Sequence, residues 1–172
     1  MLKDSLDESY HVNMLISLLL RFPEIYTITF NVPSSSCCLS YMIKRKLDQK
    51  EFLDLQKRIK QNLEAFYFLH DCEDLCHFKT LKNSFPGLTQ IQIILGGDSL
   101  LGDAISLLTK TVDDIFKTDL IGEIRPEREG CLPAIGAPVE ELLSRSPSAA
   151  HNRKVSHLFA FRDAGKVYIY DK

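Results

Sequence analysis

The sequence predicts an α+β fold: a mainly antiparallel sheet built from two hairpins and a central strand, with amphipathic helices packed on one face. Three observations carry this. Apolar residues recur at helical spacing over long segments, and β-branched, alternating runs come in pairs separated by short turn-forming loops. The segments also follow one another as αββα(α)βα, then an irregular stretch, then ββ, an order rich in hairpins and poor in crossovers. A parallel pairing of one strand through the second helix is the alternative topology.

The first helix is expected to open at Ser5, which has capping-box spacing to Glu8, and to carry Val12, Leu15, Ile16 and Leu19 on its apolar side until Pro23 stops it. Its apolar run, Val12 to Phe22, is interrupted by Asn13, Ser17 and Arg21 and falls short of the roughly 20 residues a membrane span requires, so it reads as a core helix. Ile25 to Val32 and Cys37 to Ile43 are strand-like and flank Pro33 and three serines, as a hairpin with a loose loop would.

Asp48 and Glu51 open a second helix, whose apolar positions Phe52, Leu55, Ile59, Leu63 and Phe66 step by three or four to about Leu69. Asp71 then caps a short third helix that ends before Pro86 and Gly87. Leu88 to Leu95 is a strand, and Gly96, Gly97 and Asp98 turn the chain into a helix bearing Leu101, Ala104, Ile105, Leu108, Val112, Ile115 and Phe116, which Gly122 ends. From 122 to 151 the chain is a long irregular excursion containing Pro126, Pro133, Pro138 and Pro147. A closing hairpin at 155–170 pairs Val155–Phe161 with Lys166–Tyr170 across the loop Arg162-Asp163-Ala164-Gly165, in which Gly165 supplies the positive φ.

With 172 residues, 45% hydrophobic and 26% charged, the chain suits one core, so residues 1–172 are expected to form a single domain. A formal net charge of -2 and a pI of 6.2 give no overall field that would gather nucleic acid or an anionic membrane. The N-terminal Met-Leu-Lys-Asp-Ser-Leu-Asp-Glu is too acidic for a signal peptide, and five cysteines in a chain of this size read as reduced thiols, so a cytoplasmic location is expected.

The densest group of metal-capable side chains is His70-Asp71-Cys72-Glu73-Asp74-Leu75-Cys76-His77. Cys72, Cys76, His77 and His70 are the candidate zinc ligands. On one helix Cys72 and Cys76 share a face, but His77 lies about 100° round from Cys76, and His70 lies about 10 Å along the axis from His77. A closed site would have to recruit Cys131, a histidine or a second subunit. Semi-buried thiols and ordinary surface histidines account for the segment more simply. Cys72 is also a candidate reactive thiol at a helix N-terminus, although Asp71, Glu73 and Asp74 oppose the thiolate. The adjacent Cys37 and Cys38 point to opposite faces of a strand.

Gly96-Gly97-Asp98 precedes a helix, as an anion-binding loop would, but lacks the P-loop lysine and the dinucleotide glycine pattern, so helix capping explains it better. Lys44, Arg45, Lys46, Lys50, Lys57, Arg58 and Lys60 form a basic stretch that makes an RNA-associated protein one alternative. Exposed stacking aromatics are missing from it, and Asp48, Glu51 and Asp54 dilute it, which favours a solvated helix face. There is no G-x-S-x-G, no H-E-x-x-H and no carboxylate pair at a telling spacing.

The residues therefore favour a non-catalytic interaction or regulatory module, homodimeric through its sheet edges and partnered by itself or another protein. No cofactor is expected. The alternative is a small metal-binding or thiol-dependent enzyme holding zinc at His70-Cys72-Cys76-His77, with Cys131 and His151 or His157 delivered by the excursion.

Overall fold

The computed structural model describes residues 2–70, 77–96, 101–122 and 157–171. In chain order these form α1 (Leu2–Arg21), β1 (Thr27–Asn31), β2 (Ser36–Ile43), α2 (Gln49–Leu69), β3 (Phe78–Phe85), β4 (Leu88–Leu95), α3 (Leu101–Phe116), a 3-10 turn (Lys117–Asp119), β5 (Leu120–Ile121), β6 (His157–Asp163) and β7 (Lys166–Asp171). The strands make one sheet in the order β3-β4-β2-β1-β6-β7, and every pairing is antiparallel. The expected α+β class is what the chain adopts, and no strand pairing among the described residues is parallel.

Strand alternation gives the sheet a buried inner face. Ile28, Phe30, Leu39, Tyr41, Ile43, Ile91, Ile93, Leu95, Leu158 and Ala160 lie there and join one core with the apolar sides of all three helices. At the centre the Tyr41 hydroxyl meets Thr109 of α3 at 2.9 Å, the partner that a buried phenol requires. β5 pairs with Met42 and Ile43, which also pair with β4 on their other side, so β5 continues the position of β1 along β2.

α2 forms where its local signals place it. Glu51 N–H donates to the Asp48 carboxylate at 2.7 Å while Asp48 N–H donates to the Glu51 carboxylate at 3.0 Å, a reciprocal cap. Phe52, Leu55, Ile59 and Leu63 are buried as expected. The stripe ends on Tyr67 rather than Phe66, which is half-buried with its ring edge-on to Tyr67 at 5.3 Å.

Three expectations are corrected. α1 runs through Ser5 rather than starting at it, and it buries Met14, Leu15, Leu18 and Leu19, leaving Val12 and Ile16 half-buried. The run is so nearly continuous in apolar residues that its periodicity leaves the phase open, and packing against β1 and β6 decides it.

The helix expected between Asp71 and Pro86 is replaced over its described part by β3, which forms a third hairpin with β4 across the two-residue Pro86-Gly87 loop. β4 is thus one arm of a hairpin, not an isolated central strand.

Gly122 does not end α3. That helix stops at Phe116, and Lys117 takes the left-handed φ of 43° that often follows a helix end. What Gly122 does require is space, because a Cβ there would stand 2.9 Å from the carbonyl oxygen of Pro23. Gly122→Ala is therefore expected to lower stability by roughly 1–3 kcal/mol through overpacking against backbone, as chemical denaturation would measure. An unchanged midpoint would mean that the 122 segment yields without cost.

Candidate interaction surface at the β7 edge

The loop between β6 and β7 is two residues long. Ala164 (φ 47°) and Gly165 (φ 75°) are both left-handed, the requirement of a type I′ turn, whose twist matches that of the strands. Gly165 takes the positive φ expected of it. A two-residue loop sets the register: Asp163 faces Lys166, Phe161 faces Tyr168 and Phe159 faces Tyr170.

The period of two then assigns the faces. Val167 and Ile169 pack against the core, while Phe159, Phe161, Tyr168 and Tyr170 share the outer face. There the Phe161 ring lies 5.3 Å from Tyr168 and 5.9 Å from Tyr170, nearly parallel to both at 19° and 6°, with Phe159 5.8 Å away. Nearer the sheet centre Thr27 and Ser40 are buried on this face, while Thr29, Cys38 and Gln92 are half-buried. Exposure rises outward, to 37% at Tyr168 and 54% at Tyr170.

β7 ends the strand order among the described residues. The pair flanking a two-residue loop exchanges hydrogen bonds, and such pairs recur at every second position, here Asp163/Lys166, Phe161/Tyr168 and Phe159/Tyr170. The backbone N–H and C=O groups of Val167, Ile169 and Asp171 therefore point away from β6, along the edge. The opposite edge, β3, is built differently. It carries Lys79 and Lys82, residues that discourage strand addition. Lys82 reaches back across the edge to the carbonyl of Leu47 at 3.4 Å and to Gln49 Oε1 at 3.2 Å, with its ammonium 5.3 Å from the Phe52 ring centre. Gln56 of α2 also donates to Thr80 of β3.

Among the expected metal ligands, Cys72 and Cys76 lie outside the described residues, as do Cys131, His151, the Gly97-Asp98 turn and the excursion after Gly122. His70 closes α2 with Nδ1 2.8 Å from the Phe66 carbonyl and its ring 4.3 Å from that of Phe66. The His77 carbonyl accepts the Gly96 N–H at 3.1 Å, tying the two ends of the β3–β4 hairpin. His157, on β6 and four strands from β3 in the sheet order, is 3.0 Å from the Asn31 amide, and His11 is stacked on Phe30 in the core. Among the described residues no three His, Cys, Asp or Glu side chains are grouped to hold an ion.

Cys37 faces the core and Cys38 the outer face, as strand alternation requires, and burial raises both thiol pKa values, opposing the thiolate that a nucleophile needs. In the basic stretch, Arg45 is committed internally. It donates to Asp119 at 2.9 Å, which is the chief cause raising its pKa, and bridges Glu51 at 2.7 Å. Lys60 lies 3.7 Å from Glu64. No helix among the described residues is long and apolar enough to cross a membrane.

No family model, curated protein or solved structure matches the chain. Sequence reasoning misses the aromatic ladder although its signal is there: Phe159 and Phe161, then Tyr168 and Tyr170, stand at alternate positions on either side of a two-residue turn.

Proposed function

We propose that the chain is a non-catalytic interaction module that takes up an extended segment of protein at β7 by strand addition. The supporting observation is the contrast between the two sheet edges. β3 carries lysines and is bonded to α2, whereas β7 presents outward backbone groups beside exposed tyrosines, with no charged side chain between Val167 and Tyr170. Main-chain hydrogen bonds would supply affinity, at about 0.5–1.5 kcal/mol net for each bond, and cross-strand aromatic pairs specificity, at about 0.2–1 kcal/mol for each pair.

Amide hydrogen exchange on dilute protein tests this reading. The N–H groups of Val167 and Ile169 should exchange much faster than those of Tyr168 and Tyr170, which are bonded to β6. Equal protection of all four would mean that the edge is already covered within the chain, and strand addition would be ruled out. Metal analysis addresses the alternative: one zinc per purified chain, lost in Cys72→Ser, would move the assignment to a metal protein.

A further inference from the structure

Resting on that reading, we infer that the segment added at β7 is β7 of a second copy of this chain, antiparallel about a two-fold axis at Ile169. Two features of the strand support this. First, an added strand continues the sheet only where residues of like face and like hydrogen-bond polarity oppose one another. With Ile169 against its own copy, Val167 opposes Asp171, and all three carry outward N–H and C=O groups, so every bond made at one end is repeated at the other.

Second, the same register sets Tyr168 against Tyr170 of the copy as non-hydrogen-bonded pairs, the closer kind, on the outer face. The stack of Phe161, Tyr168 and Tyr170 then runs unbroken across the axis into its counterpart. On the inner face Ile169 meets Ile169, continuing the apolar surface it already shares with the core. A two-fold contact of this kind uses the edge on both copies and closes, leaving the lysine-bearing β3 edges outermost.

The test combines light scattering over a wide concentration range with hydrogen exchange and a charge exchange at the paired tyrosines. The intact chain should dimerise, and the Val167, Ile169 and Asp171 amides should become protected as the dimer fills. Tyr168→Glu and Tyr170→Lys should each weaken the dimer roughly tenfold, since each removes two cross-strand aromatic pairs. The double variant should recover most of that loss, because the introduced glutamate of one copy then opposes the introduced lysine of the other. No other register of the same face makes that pair.

Failure of the double variant to recover would overturn the register. A dimer whose β7 amides stay fast would place the contact elsewhere and overturn the inference. A monomer at all concentrations with fast amides would exclude a second copy while leaving the edge open to a different protein. Slow amides in the dilute monomer would remove both the inference and the reading beneath it.

Discussion

Replacing Ile59 with alanine should lower the unfolding free energy by about 2–5 kcal/mol, while Lys57→Ala, two residues away on the same helix, should change it by less than about 0.5 kcal/mol. Ile59 is wholly buried at the middle of the α2 stripe, where it packs into the core between Leu55 and Leu63. Its truncation removes transfer free energy and leaves a cavity that two flanking turns of helix cannot close. Lys57 is exposed and stabilises nothing by burial. Urea midpoints of the two variants measure the difference, and equal shifts would mean that α2 presents a different face to the sheet.

Thr89→Val should cost roughly 2–4 kcal/mol although it preserves shape, because it strands two backbone groups at once. The Thr89 hydroxyl is fully buried on β4. It accepts the Leu47 N–H at 3.0 Å and donates to the Arg45 carbonyl at 2.8 Å, fastening the connection between β2 and α2 to the sheet. The same connection is held from its other side by Lys44 N–H on the Asp119 carbonyl at 2.7 Å and by the Arg45 ion pairs. Valine satisfies neither Leu47 nor Arg45, and each orphaned buried group costs about 1–3 kcal/mol. Thr89→Ser, which keeps the hydroxyl, should recover most of the loss. If serine and valine are equally destabilised, the latch is not made through these bonds.

Local signals were sufficient for α2, whose cap and apolar stripe lie within one continuous segment, and for the existence of the closing hairpin; its register was not legible, because Arg162 and Asp163 extend β6 and leave only Ala164-Gly165 as the loop in place of the expected Arg162–Gly165. They were insufficient for β3. Phe78–Phe85 buries no residue fully and has no clean alternation, so its strand conformation comes from pairing with β4 and not from its own pattern. The end of α3 was misplaced because a glycine is the usual left-handed residue, and here Lys117 takes that conformation while Gly122 answers a close approach to Pro23.

The aromatic ladder is written in alternate residues, but its significance depends on β7 being an edge, and strand order is not a local property. β6 lies beside β1 rather than β4, joining segments more than a hundred residues apart.

From the sequence alone follow the α+β class, the helical stripe of α2, the strands β1, β2 and β4, and the closing hairpin with Gly165 in its turn, because each depends on periodicity, capping or φ within a few residues. The tertiary structure decided the strand order, the conversion of the segment before Pro86 into β3, the rotation of α1 and the difference between a lysine-bearing edge and an aromatic one. Those depend on which apolar surfaces meet and which backbone groups remain unpaired once they do, and that is settled only when distant segments pack together.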